Sequence, residues 1–340
     1  MTSLTYLHFS KRHTRRLKFI VIASLPLMLT TRINTTPPRA DAAVEAIAYM
    51  SKNGLIMDQA RWHEVVTSTD HGHKIHSLKA LNQALQVGNY HTDVVKDLQQ
   101  TEDVHYPSVT HVQGLSLINV PSFYSQSARK QRRYVKHLDQ LIQHSHGTVY
   151  LNLVNNSGGL SAAMVAGLAS LIPDGRLWTE VDRHGHQYPA KLTHGYYRQL
   201  GGRLSLATAG SPKQLQRQVV VLMNAGTASA AEFSILALKR NPRCTLVGVP
   251  TSGCTSANTW HVVGRQHWYG SFTTRSIINS VPVHGRKHFS NDQIQPDVWT
   301  TRVPTLPADY RSQTTFNPGF IQEVRRISPK ADQPAQRPTS

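Results

Sequence analysis

One side chain in this sequence stands where it could attack an acyl bond, a serine at 229. Ser229 stands in Asn224-Ala225-Gly226-Thr227-Ala228-Ser229-Ala230-Ala231-Glu232, between the apolar run Val219–Met223 and a helical pattern from Ala230 to Leu238. A run of this kind bounded by Asn and Gly reads as a buried strand. A serine between strand and helix sits over free N–H groups that stabilise negative charge. Serine attack creates an oxyanion and needs such a setting. The same position suits an ordinary helix N-cap, so the stretch alone leaves both readings open. His91 follows a helix-ending signal in Gly88-Asn89-Tyr90-His91-Thr92. Histidine often has only a structural role, but its pKa near neutrality also fits a general base. A third stretch, Asn155-Asn156-Ser157-Gly158-Gly159, closes an apolar run. Strand, glycine turn and helix make an anion-binding turn, or simply a tight one.

The elements that must position these residues are legible in outline. Val219–Met223 and Cys244–Val249 read as buried strands, with the small-residue loop Pro250–Ala257 after the second. Leu115–Val120, the stretch 147–154 and Gly175–Val181 read as strands. Ala128 to Gln143 reads as a basic amphipathic helix with a solvated charged face, and Ala162–Leu171 as a small-residue helix. Residues 42–88 carry apolar spacing of helical type. Residues 183–212 are polar and turn-rich, as expected of a loop or hairpin over the site. Trp260–Val263, Gln266–Thr273 and Ser276–Val283 read as late strands.

These motifs resemble the C-terminal processing (tail-specific) serine peptidases, family S41. Gly226–Glu232 is similar to the family's G-S/T-A-S-A-x-E turn, and Gly248-Val249-Pro250-Thr251-Ser252-Gly253 to its G-x-x-T-x-G loop. The Asn152–Gly159 stretch is similar to I-D-L-R-x-N-x-G-G, and Ile294-Gln295-Pro296-Asp297-Val298 to the closing P-D motif. The resemblance implies an α/β fold, a ClpP/crotonase-like spiral of βαβ units with a small N-terminal helical segment. It implies Ser229 as nucleophile and an oxyanion hole from the N–H of Ala230 and of Gly158 or Gly159. The lysine of the best-known members is missing, and Cys254 aligns with it. In the lysine-less branch the histidine of a helix-ending G-D/N-x-H-S/T is the base, which implies His91, with a carboxylate orienting it, here assigned to Asp292. Asn258 aligns with a polar orienting residue and is a candidate for loop support. The family's Asp and Arg are Asn152 and Val154 here. These departures keep an alternative open, a catalytically inactive binding protein on the same scaffold. A basic cell-envelope adhesin is a third reading.

The implied organisation is a signal peptide or signal anchor at 1–41, an N-terminal helical segment at 42–104, a peptidase core at 105–327 and a disordered tail at 328–340. Five basic residues from Lys11 to Lys18 precede the short apolar run 19–29, the pattern of an export signal. About a dozen residues separate His91 from His105, too few for an inserted PDZ domain. The net charge of +18 stays strongly positive without residues 1–42. No basic stripe interleaved with aromatics accompanies it, so no nucleic-acid partner is expected. The expected partners are a peptide or protein substrate and an anionic cell-envelope or membrane surface. The chain is therefore expected outside the cell or at its envelope. No phosphate-binding glycine motif occurs and no cofactor is expected. The histidines at 71, 73 and 76 lack an accompanying carboxylate or cysteine set, so no metal site is expected. Cys244 and Cys254 are the only cysteines, and in an exported protein they could pair.

Overall fold

The parallel half of the molecule is built from short runs with no polar alternation. The computed structural model describes residues 42–96, 103–112, 115–193, 195–199, 204–264, 268–303 and 319. The N-terminal signal, the 328–340 tail and the end of the core lie outside them. Val219–Met223 is buried at every residue, as expected for a strand covered on both faces. It lies at the centre of a six-stranded sheet in the order Val298–Trp299, Cys244–Gly248, Val219–Met223, Val149–Asn152, Leu115–Asn119, Ser108–Val112. All neighbours are parallel except the last pair. Helices connect the parallel strands: α4 (Ala128–His144), α5 (Ser161–Gly167) and α6 (Ala230–Leu238). These are the βαβ units of the expected spiral. The main apolar core lies between the sheet and these helices, with Leu138, Leu151, Val221 and Leu236 all buried.

A second, antiparallel sheet of eight strands accounts for residues that sequence reading divided differently. Trp268–Val283 is one 16-residue strand rather than two, because Thr274-Arg275 carries no turn residue and the strand continues across a register shift, with Thr273 opposite Asn258 and Arg275 opposite Ala257. Of the loop or hairpin expected at 183–212, the structure shows the hairpin, extended by a further strand. Gln187–Thr193, Tyr196–Gln199 and Leu204–Ala207 pair in succession beyond Gly175–Asp182. Ala190, Leu192 and Tyr197 face the core there, an alternation that the polar residues between them obscure.

Three N-terminal helices, α1 (Ala42–Asn53), α2 (Gln59–Ser68) and α3 (Leu78–Gly88), precede the core. They share a small core with Val94, Val263 and Phe272 of the antiparallel sheet. The chain leaving α3 passes through His91 and joins that sheet as Asp93–Val95, paired with the long strand. The helical segment is thereby fastened to the sheet, and His91 lies at the join.

Candidate active site

Ser229 has φ +52° and ψ −116°. The chain's ordinary capping serines differ. Ser77 (φ −139°, ψ 151°) and Ser127 (φ −72°, ψ 112°) have extended backbones, and their side chains accept from Ala80 N and Lys130 N. Extended backbone is what an N-cap uses. A non-glycine residue in the Ser229 conformation costs about 1–3 kcal/mol and persists only when its surroundings enforce it. Those surroundings are visible. The Ser229 N–H donates to Glu232 Oε2 at 2.8 Å. The other oxygen of Glu232 accepts from Thr251 Oγ1 at 2.5 Å and from Gly253 N at 2.9 Å. Glu232 is fully buried, and burial pushes its pKa up to about 7 against these hydrogen bonds, which pull it down. One carboxylate thus joins the serine turn to the 250–254 loop.

The glycine turn is fastened to the same place. Ala228 N donates to Asn156 O at 2.9 Å and Thr227 Oγ1 to Leu153 O at 2.9 Å. Asn155 N donates to Asn224 Oδ1 and Asn224 Nδ2 to Asn155 Oδ1. Gly158 has φ +105°, and a Cβ there would come within 2.8 Å of Ser229 Cβ and 2.9 Å of Ala230 N, so no side chain fits. Its own N–H donates to Asn156 Oδ1 at 2.8 Å. Gly159 N and Ala230 N have no hydrogen-bond acceptor among the described residues, and both residues line the cavity that holds Ser229. Of the two glycine candidates, Gly159 is the one with a donor to offer an oxyanion, and Gly158 provides the close approach.

His91 lines the same cavity, of about 600 Å³. Asn258 Nδ2 donates to the His91 carbonyl at 2.7 Å and to Ser271 Oγ at 3.0 Å. Tyr90 O–H donates to Gly253 O at 2.6 Å. His91 Nδ1 meets Ser256 Oγ at 3.1 Å, and Ser256 Oγ–H in turn donates to Asn291 Oδ1. A hydroxyl has one proton, and here it goes to an acceptor-only oxygen. Ser256 therefore accepts from His91, which places the ring proton on Nδ1 and leaves Nε2 with its lone pair. Burial lowers the His91 pKa to about 4, and a hydrogen bond with the Ser256 main chain opposes this. The ring is neutral at neutral pH.

Asp292 does not orient His91. Its Oδ1 is paired with Arg286 Nη1, and its Oδ2 accepts from Ser290 N at 2.8 Å. The hairpin arginine captures this carboxylate, and the residue beside it in sequence, Asn291, completes the chain to the histidine. Sequence reasoning missed Ser256 and Asn291 and had no signal for them, since they meet His91 only through folding. Glu232 had one, the serine-to-glutamate spacing of three residues that marks a capping box.

The remaining substitutions are structural. Asn152 Oδ1 accepts from Val154 N, and its Nδ2 donates to Asn119 Oδ1. Val154 is buried in a small apolar cluster on the other face of the sheet. Cys244 and Cys254 are free thiols, not a disulfide. Burial pushes the Cys254 pKa up to about 11, so it cannot stand in for the missing lysine as a base. Glu180, also on the cavity wall, is buried and paired with Arg275 Nη1 at 2.8 Å. Among the described residues, no three His, Cys, Asp or Glu side chains are placed to hold a metal, and no helix is long and apolar enough to cross a membrane.

Comparison with known proteins adds four findings. The sequence model of peptidase family S41 matches residues 114–300. A nisin-resistance protein of Lactococcus lactis subsp. lactis is 26% identical over 294 residues, 82% of this chain and 89% of the relative. A carboxyl-terminal-processing protease of Synechocystis is 33% identical over 141 residues, 42% of this chain but 28% of that protease. Among solved structures, a lipoprotein from Streptococcus agalactiae has the same fold, with a TM-score of 0.67 at 21% identity, covering 87% of this chain and 98% of that one.

Proposed function

Since the chain belongs to peptidase family S41, we propose that it is a serine peptidase acting at the cell envelope, with Ser229 as nucleophile and His91 as base. The observation that carries this reading is the shared cavity: a serine on a positive-φ turn, a neutral histidine and two N–H groups without acceptors all line it. Ser229 Oγ attacks the peptide carbonyl and passes its proton to His91 Nε2. The N–H groups of Gly159 and Ala230 hold the oxyanion. His91 then protonates the leaving amine, and water releases the acyl group by the same steps in reverse order. Ser256 and Asn291 keep the ring in the Nδ1–H tautomer, and Asn258 holds its main chain.

The substrate class is a peptide or an unfolded protein segment. The names of the Lactococcus lactis relative, a nisin-resistance protein, and of the streptococcal structure, a lipoprotein, favour an envelope setting. The basic charge and the N-terminal export pattern support the same setting.

A fluorophosphonate probe tests the reading. The wild-type chain takes the label, Ser229→Ala does not, and His91→Ala takes it slowly. Equal labelling of wild type and Ser229→Ala overturns the proposal. It would favour the binding-protein reading, for which one observation speaks: no hydrogen bond joins Ser229 Oγ to His91 among the described residues. Catalytic hydrogen bonds commonly tighten only with substrate in place, so this gap does not count against the peptidase.

A further inference from the structure

The eight-stranded sheet finishes its edge strands differently. Ala257–Val263 and Arg286–Phe289 lie on one side of the long strand. On the other side of the long strand, end to end with Gly175–Asp182, Asp93–Val95 pairs with it on its inner side. On its outer side Asn82, from α3, takes the place of a further strand. Asn82 Nδ2 donates to Val94 O at 2.9 Å, and Asn82 Oδ1 accepts from Val94 N at 2.7 Å. At the far edge of the sheet Leu204–Ala207 pairs only with Tyr196–Gln199, and nothing among the described residues covers its outer side. Proteins normally blunt such an edge, because its unmet N–H and C=O groups recruit another chain. This edge opens on the cavity that contains Ser229, and Leu204, Ser205 and Leu206 line that cavity.

The register identifies the unmet groups. Thr208 N donates to Gly195 O at 2.8 Å, so these two residues form a directly bonded pair. Directly bonded pairs alternate along an antiparallel ladder. Leu206 with Tyr197, and Leu204 with Gln199, are therefore bonded to each other. Ser205 and Ala207, opposite Arg198 and Tyr196, turn their N–H and C=O groups outward.

We propose that this edge is the substrate platform: an extended peptide lies along Leu204–Ala207 as a ninth strand, bonded to the main chain of Ser205 and Ala207. The sheet thereby holds the scissile segment against the cavity wall that carries Ser229. The inference deepens the peptidase reading and rests on it for the cleavage step, while the pairing itself needs no catalysis. Strand addition recognises main chain rather than sequence. The platform accepts extended segments of varied sequence and rejects those with proline where a donor is needed.

The test uses the full chain with Ser229→Ala, which prevents turnover, and fluorescein-labelled oxidised insulin B chain as an extended probe. Adding Ser205→Pro removes an outward N–H and no ladder bond, a change that edge strands tolerate. Anisotropy should then show affinity weakened roughly three- to tenfold, the loss of one hydrogen bond. Independently, saturating probe should slow amide exchange at Ser205 and Ala207 in the Ser229→Ala chain, which decides the matter if the proline variant does not fold. Unchanged affinity together with unchanged exchange overturns the platform. So does a dimer of this chain that Ser205→Pro converts to monomer without altering probe affinity, since the edge would then serve a second copy. Slowed exchange in a protein that fluorophosphonate fails to label leaves the platform standing and removes the peptidase reading; labelling without slowed exchange does the reverse.

Discussion

The serine turn and the histidine turn face one cavity but are held in place by opposite means. Ser229 is held at its N–H by a residue of its own neighbourhood in sequence and packed against by a turn from farther back in the chain. Glu232, three residues on, binds its N–H, and the glycine turn packs against it so tightly that a Cβ at Gly158 would lie 2.8 Å from Ser229 Cβ. The restraint centres on a carboxylate that burial forces toward the protonated form. His91 is enforced from afar. Asn258, Ser256 and Asn291 reach it across separations of 167, 165 and 200 residues, and among the described residues no charged side chain is a hydrogen-bond partner of His91. On the proposed reading, a strained nucleophile needs rigid local support, and a base that must stay neutral is better served by dipoles than by an anion, which would raise its pKa.

The comparison can be broken at either turn. The largest effect is expected from His91→Ala, which should lower kcat on a peptide substrate by at least about 10³-fold while leaving the melting temperature within a few degrees. A fall in kcat of tenfold or less would show that another group serves as base. Gly158→Ala should cost about 2–4 kcal/mol in chemical denaturation and abolish fluorophosphonate labelling, because the added carbon meets Ser229, Ala228 and Ala230 in a left-handed conformation. Wild-type stability would mean that the two turns are less firmly pressed together than the geometry says.

The pH dependence of stability separates the two turns by sign. The Glu232 pKa is raised from 4.5 to about 7, so the folded chain holds a proton that the unfolded chain releases. This contribution is present below pH 4.5 and is lost as pH rises through about 7. The His91 pKa is lowered from 6.5 to about 4, so the unfolded chain binds the proton first. That contribution is present above pH 6.5 and is lost as pH falls through about 4. Urea midpoints of Glu232→Gln should therefore rise from pH 4 to 6.5 and then level off, with an amplitude on the order of 1–3 kcal/mol. A profile that still falls between pH 6.5 and 7.5 would contradict the assignment to Glu232. The smallest effect sharpens the contrast. Asn291→Asp gives the histidine relay a charge and should move the acid limb of kcat/KM upward by about one pH unit. An unmoved limb would mean that the relay does not influence His91.

Legibility follows the same division. The serine turn and the glycine turn could be read because each is one contiguous stretch whose strand, turn and helix signals are local. The carboxylate assigned to His91 failed by a single position. Asn291 and Asp292 are adjacent, and only Arg286, six residues before Asp292 and paired with it, leaves Asn291 as the one bonded through Ser256 to the histidine. The polar stretch 183–212 hid three strands because its buried residues alternate with solvent-facing ones that resemble loop composition.

By itself the sequence determined the parallel half of the fold, the Ser229 turn and the spacing of its supporting glutamate, since short-range hydrogen bonding and burial periodicity dictate all three. Only the tertiary structure decided which glycine offers its N–H, which residues orient the histidine and that a bare sheet edge borders the cavity. Each of those depends on which backbone groups remain unmet once distant strands have paired, and no stretch of sequence records that.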